Sequence, residues 1–171
     1  MSNFRKNYSD IYDKNVTKIY RFVLLKVKST EIAEDLTSEV FMRGWQAYKT
    51  KQDKIENVQA FLYQIARNLL ADHYRQETRA QFVSVDYAPP LPDQKQDIEA
   101  MSFVKSDMEQ VKAALNKIND DYRDVIIWYY MDELKVPEIA KILNKSEPTV
   151  RVLIHRALQS LKAELKVISN L

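Results

Sequence analysis

At 171 residues, with 46% hydrophobic and 29% charged side chains, the chain has the balance of a folded globular protein rather than a disordered one. One glycine, five prolines and no cysteine exclude disulfide staples, thiolate metal sites and a cysteine nucleophile, and leave little of the punctuation that tight β-turns require. The formal charge of +2 is unevenly spread: residues 1–75 carry a net +4, residues 76–110 a net −4 and residues 111–171 a net +2. The expected fold is all-α, with two small helical domains, residues 1–77 and 106–171, joined by a flexible acidic linker, residues 78–105.

The first residues, Met1 to Tyr8, lack the apolar core of a signal peptide, so the cytoplasm is the expected location. From Tyr8 to about Gln76 apolar residues recur at helical spacing, in the groups Ile11-Ile19-Phe22-Val23, Ile32-Leu36-Val40-Phe41 and Phe61-Leu62-Ile65-Leu69-Leu70. Three or four helices are expected. Breaks fall at Lys28-Ser29-Thr30, where Ser29 or Thr30 suits an N-cap, and across the weakly apolar stretch Lys49 to Asn57. In the second group Leu36 and Val40 face inward while Asp35 and Glu39, one turn apart, share an outer face. Like charges at that spacing cost a few tenths of a kcal/mol in an isolated helix, which points to a basic partner or to simple indifference. In the third group Gln64, Arg67, Asn68, Asp72 and Arg75 lie along one polar strip, preceded by Lys49, Lys51 and Lys54. Such a strip suits a nucleic-acid backbone and the edge of an unstacked base, or is a solvated helix face.

Ala88-Pro89-Pro90-Leu91-Pro92-Asp93 cannot be helix interior, because each proline removes a donor and restricts the residue before it. Helical spacing resumes over residues 98–116. The densest apolar run, Val125 to Met131, is far too short to cross a membrane. Val136 to Leu165 has the form of a helix-turn-helix: Pro137 suits a first helical turn, Asn144-Lys145 the turn, and Ser146 the cap of a second helix. On that second helix Val150, Ile154, Ala157, Leu158, Leu161 and Leu165 form one apolar stripe. The opposite face carries Pro148, Thr149, Val152, His155, Arg156 and Gln159, with Arg151 on its flank. Cations, a hydroxyl and a methyl-bearing side chain near a helix N-terminus match what the DNA major groove offers, although an ordinary solvated face has the same spacing. His73 and His155 have no partner at metal-ligand spacing, and the helical pairs Glu34-Asp35 and Asp132-Glu133 have no nucleophile nearby, so no metal site, cofactor or catalytic residue is expected.

Taken in order, these segments resemble the extracytoplasmic-function group of bacterial sigma factors over nearly the whole chain. Ala33-Glu34-Asp35-Leu36 with Glu39-Val40-Phe41 is similar to region 2.2, and Phe61 to Asn68 with Asp72 and Arg75 to regions 2.3 and 2.4. Tyr122 to Ile126, Glu138-Ile139-Ala140, Thr149-Val150 and His155-Arg156-Ala157 are similar to region 4. The resemblance implies a non-catalytic subunit that brings core RNA polymerase to promoters and helps open them. It implies that Asp35 and Glu39, with Leu36 and Ser38, dock on the clamp helices of the β′ subunit, and that the second domain meets the β flap. Gln64, Asn68, Asp72 and Arg75, with Lys49, Lys51, Lys54 and Asn57, would hold the melted minus-ten element. Glu147, Pro148, Thr149, Arg151, Val152, His155 and Arg156 would face the duplex minus-thirty-five element. An anti-sigma factor, sometimes at the membrane, would hold the protein inactive. The chain departs from the family at Ser38, where Gln is usual, at Phe61, where Trp is usual, at Asn144, where Gly is common, and at Val152 and Leu153, where Ser and Arg are common. An autonomous helix-turn-helix regulator and a sigma-like decoy are the competing readings.

Overall fold

The computed structural model describes residues 2–51, 54–83 and 106–169. Among them there is no strand. The first group of helices is α1 (Ser2–Leu24), α2 (Thr30–Lys51) and α3 (Val58–Val83), each packed on the other two. The second group is α4 (Ser106–Lys117), α5 (Asp120–Ile126), which runs on into a π-helical turn (Ile127–Met131), then α6 (Val136–Leu143) and α7 (Glu147–Ser169).

Helix starts follow side-chain chemistry. Ser29 Oγ accepts from the Ile32 amide at 3.1 Å, Asn57 Oδ1 from Ala60 at 3.0 Å and Asn119 Oδ1 from Tyr122 at 3.0 Å, each satisfying an amide that lacks an intrahelical partner. The three-or-four-helix expectation resolves to three. The break after α2 is shorter than the sequence suggests, because the helix persists to Lys51. α3 also continues past residue 77 to Val83, since Thr78 to Val83 contains neither Gly nor Pro and the Thr78 hydroxyl donates back to the Tyr74 carbonyl at 2.9 Å. The expected linker core and the helical pattern at Ile98, Met101 and Val104 lie outside the described residues.

The core of the first bundle is built from Ile19, Phe22 and Val23 of α1, Ala33 and Val40 of α2, and Leu62, Tyr63 and Ala66 of α3, all fully buried. In the second group Val150, Ile154, Ala157 and Leu161 of α7 pack onto α4, α5 and α6. The two cores are continuous. Trp128, completely buried, leaves the π turn of the second group and enters the first, stacking on Phe22 with centroids 5.5 Å apart and meeting Tyr63 edge-on at 5.7 Å.

Gly44 of α2 faces side chains of both α1 and α3. A Cβ at this position would lie 2.8 Å from Leu62 Cδ2 and 2.8 Å from Tyr8 Oη. That hydroxyl is held by donation to the Phe41 carbonyl, and burial pushes its pKa up to about 12, so it remains a donor at neutral pH. Gly44→Ala gains about 1 kcal/mol of helix propensity, but overpacking against the anchored Tyr8 and the buried Leu62 costs about 1–3 kcal/mol. The expected net effect is a loss on the order of 1 kcal/mol, read as a lower urea midpoint with unchanged slope.

Candidate nucleic-acid interface

The helix-turn-helix forms by local rules. α6 opens with Pro137 in its first turn, and Glu138 reaches back to accept from the Lys135 amide at 3.4 Å. It ends at Asn144, in the left-handed region at φ 53° and ψ 47°, where the Lys145 amide closes on the Ala140 carbonyl at 3.0 Å. Ser146 then caps α7, its Oγ 3.4 Å from the Thr149 amide and 2.7 Å from the Thr149 hydroxyl. As the periodicity predicts, Val150, Ile154 and Ala157 are buried, while Glu147, Pro148, Thr149, Arg151, Val152, His155, Arg156 and Gln159 are exposed. Val152 is 49% exposed although it is apolar, and Arg151 pairs with Glu147 one turn earlier at 3.3 Å.

On α2, Asp35 and Ser38 are exposed, Leu36 is half-buried and Val40 is buried. Glu39 is not left to repel Asp35 alone: Arg43, one turn on, holds it at 2.7 Å. Internal charge balance therefore offsets the like-charge spacing that pointed toward an outside partner.

The polar strip of α3 divides. Asp72 and Arg75 remain exposed, 3.5 Å apart. Gln64, expected to face DNA, donates its amide to the carbonyls of Lys141 at 3.0 Å and Ile142 at 3.3 Å, at the end of α6. Arg67 is bound to Asp121 and Asp124 of α5, each at 3.1 Å. Asn68 is exposed beside a cleft lined by both signs of charge, Lys26 and Arg67 with Asp120 and Asp124. A second cleft, about 390 Å³, has Lys51, Lys54, Asn57 and Gln64 on one side and Lys141 and Asn144 on the other. Asn57 spends its side-chain oxygen capping α3. Lys49 stands apart from both clefts, over the Trp45 ring at 5.4 Å.

The residues that join the two groups were not visible as a site in the sequence. Asp124, Trp128 and Asp132 follow one another at intervals of four and line one side of α5 and the π turn. Asp132, whose side chain is fully buried, takes the Tyr63 hydroxyl at 2.6 Å and pairs with Arg21, which also donates to the Met131 carbonyl at 3.3 Å. Asp124 pairs with buried Lys26 and with Arg67, whose guanidinium lies 5.8 Å from the centre of the Trp128 ring. Burial lowers the Lys26 ammonium pKa and raises that of the Asp124 carboxyl; their mutual attraction opposes both shifts, as do Arg67 and Arg123 for Asp124. Burial likewise raises Tyr63, which keeps its proton for Asp132. The expectation that Asp132 and Glu133 share a helix is corrected: Asp132 terminates the π turn and Glu133 is left-handed at φ 57°. The signal present in the sequence was the acid-x3-Trp-x3-acid spacing. His73 pairs with Glu77 at 3.1 Å, and no acid or histidine cluster fit for a metal occurs among the described residues.

Residues 11–80 match the family described as Sigma-70 region 2, and residues 108–161 the family described as Sigma-70, region 4. The chain belongs to the sigma-70 family. It is an RNA polymerase sigma factor of the extracytoplasmic-function group, a transcription initiation factor. It is 29% identical to the ECF RNA polymerase sigma factor SigM of Bacillus subtilis, over 90% of this chain and 92% of that one. It is 27% identical to SigW of the same organism, over 93% and 89%. In fold it is similar to the sigma factor RpoE in its complex with the anti-sigma factor NepR from Bartonella quintana, with a TM-score of 0.72 and 23% identity over 95% of this chain and 98% of that one. It is also similar to CnrH in its complex with the cytosolic domain of CnrY, with a TM-score of 0.69 and 18% identity over 95% and 90%. No helix among the described residues of this sigma factor is long and apolar enough to cross a membrane.

The turn of the helix-turn-helix depends on Asn144 holding a left-handed backbone, which costs a β-branched residue about 1–2 kcal/mol more than glycine. Asn144→Val should lower the urea midpoint of this sigma factor, while Asn144→Gly should match or slightly exceed the wild type.

Proposed function

We propose a division of labour among the exposed faces. The outward face of α7, with Thr149, Arg151, Val152, His155 and Arg156, lies in the major groove of the minus-thirty-five element. The Gln64-Asn68-Asp72-Arg75 strip, with Lys51, Lys54 and Asn57, holds the melted minus-ten element, and Lys49 adds a phosphate contact. Asp35 and Glu39, with Leu36 and Ser38 beside them, dock on the basic clamp helices of the polymerase β′ subunit, and the helix-turn-helix domain meets the β flap. On this reading the bundle domain, residues 1–77, and the C-terminal domain, residues 106–171, are separate DNA-binding units joined through residues 78–105.

The observation that carries the duplex assignment is the asymmetry of α7. One side is sealed in the core, and the other presents two arginines, a histidine, a threonine and a bare valine to solvent within three turns of a capped N-terminus. Guanidinium groups suit guanine edges and phosphates, the helix N-terminus suits a phosphate, and an exposed valine suits a thymine methyl group. The polymerase assignment is supported by the exposure of Asp35 and Ser38 and by the half-buried Leu36 beside them. RpoE was solved with an anti-sigma factor bound; control of this chain by such a partner, at the membrane or in the cytoplasm, belongs to the same proposal.

Two substitutions separate the surfaces. Asp35→Arg places a cation against a basic partner and should lower affinity for core RNA polymerase at least about tenfold, since like-charge contacts cost several kcal/mol, with helicity and melting unchanged. Arg151→Ala should weaken duplex promoter binding about tenfold, the scale of a lost guanidinium contact, and leave core binding intact. Run-off transcription from genomic fragments, with core binding measured separately, reads both. Normal core binding by Asp35→Arg removes the polymerase assignment; unchanged promoter affinity in Arg151→Ala removes the α7 assignment.

A further inference from the structure

The seam between α1 and α2 carries a groove that none of the assignments above uses. On α1, Arg5, Tyr8 and Tyr12 recur at intervals of three and four, and on α2 Trp45 and Lys49 stand four apart, so each helix turns one strip toward the seam. The groove measures about 430 Å³ and is lined by Arg5, Tyr8, Ser9, Tyr12 and Trp45, within the size range of small-molecule sites, about 300–1,000 Å³. Its floor is aromatic. Tyr8 and Trp45 meet with ring centres 5.0 Å apart, and Tyr12, 43% exposed, packs edge-on against Phe41 at 4.8 Å. The Tyr8 hydroxyl is spent on the Phe41 carbonyl, so Tyr8 offers the groove its ring. Two cations flank the floor, Arg5 and Lys49, and the Lys49 ammonium lies 5.4 Å from the centre of the Trp45 ring. Neither has a carboxylate partner among the described residues, whereas Arg21, Arg43 and Arg67 each have one.

We propose that this groove is a second single-strand site, in which unpaired bases of the melted promoter strand stack on Tyr12 and Trp45 while Arg5 and Lys49 neutralise the adjoining phosphates. Aromatic rings take any base by its flat face, and cations beside them hold the backbone. Duplex DNA cannot use such a floor, because its bases already stack on one another. Charge separates this occupant from a protein: basic helices of the kind assigned to Asp35 and Glu39 are repelled by Arg5 and Lys49, whereas a polyanion is attracted. The groove also continues the α3 site. Ala47 and Lys51 line the cleft on the opposite flank of α2, each two residues beyond Trp45 and Lys49. A strand leaving that cleft crosses one helix, about 10–12 Å wide, which about three nucleotides span even at the duplex spacing of about 3.4 Å. Lys49, which stands apart from both clefts, thereby gains a place on the path of the strand.

The inference rests on the assignment of the α3 strip to single-stranded promoter DNA, since that site delivers the strand to the groove, and the test separates the two. Holoenzyme is bound to a genomic promoter fragment carrying a pre-melted bubble, in which bases are replaced one at a time by abasic sites. Tyr12→Ala should lower affinity for the intact bubble at least about fivefold, the lower end of what one stacked base contributes, and Tyr12→Phe, which keeps the ring, should restore it. Removing one or two particular bases should weaken the wild type by a similar factor and leave Tyr12→Ala unchanged. Those positions should differ from the ones that fall silent in Asn68→Ala. Arg5→Gln, at an exposed position, should reduce the slope of log affinity against log salt by about 0.7, one single-strand phosphate contact. Core polymerase binding should stay within about twofold of wild type in every variant. Undiminished bubble affinity in Tyr12→Ala overturns the inference, and an unchanged salt slope in Arg5→Gln overturns it whether or not Tyr12→Ala folds. A fall in core binding by either variant assigns the groove to the polymerase and likewise overturns it. If Asn68→Ala silences positions and Tyr12→Ala none, the groove alone fails; if Tyr12→Ala silences positions and Asn68→Ala none, the strip assignment fails and the groove stands.

Discussion

The arrangement of the whole molecule depends on one side chain, Trp128, and on the two carboxylates that stand one turn before and one turn after it. Trp128 is wholly buried between Phe22 of α1 and Tyr63 of α3, beside the packing of α6 on α3. Removing a buried tryptophan from a core costs about 3–5 kcal/mol, whereas a buried ion pair is close to neutral once desolvation is counted. The aromatic stack, with the apolar packing of α6 on α3, thus supplies the net attraction. Asp124 and Asp132, meeting Lys26, Arg67, Arg21 and Tyr63, decide the register in which the indole enters, since any other register would leave buried charges unpaired.

The π turn aligns this strip. In a continuous α-helix four residues overshoot one revolution by about 40°, so acids eight apart drift by about 80° around the axis. A π turn takes more residues per revolution, and here the Asp132 amide reaches back to the Ile127 carbonyl at 2.9 Å. The overshoot before Trp128 is reversed after it. Asp132 returns to the side of Asp124, and the left-handed Glu133 then turns the chain away, with the Leu134 amide tied to the Trp128 carbonyl at 2.8 Å. This short irregular stretch places the helix-turn-helix over α3 while α7 keeps its outward face in solvent.

The parts of the molecule that were legible in the sequence are those decided within a few residues. The cap at Ser29, the left-handed Asn144, the cap at Ser146 and the stripe from Val150 to Leu165 each follow from local hydrogen bonding and helical period, and each stands where those rules put it. The end of α3 at Val83 is not marked locally, because a run without Gly or Pro carries no stop signal. Gln64 and Asn57 show no local pattern that announces their hydrogen bonds within the chain. Their side chains reach the end of α6 and the first turn of α3, because an amide satisfies whichever backbone group lies within reach.

The sequence alone determined an all-helical protein of two domains, a helix-turn-helix with one free face, and the order of segments that marks a sigma factor. Those are properties of periodicity, capping and chain order, and they do not depend on what lies across a cleft. Only the tertiary structure decided that the polar strip of α3 is divided, half open and half held by the second domain, and that Lys26, Asp124 and Asp132 are buried. The reason is physical. A lone acid or lysine in a sequence looks solvated, and only a partner of opposite charge brought in from about a hundred residues away, with an aromatic stack to exclude water, makes its burial tolerable.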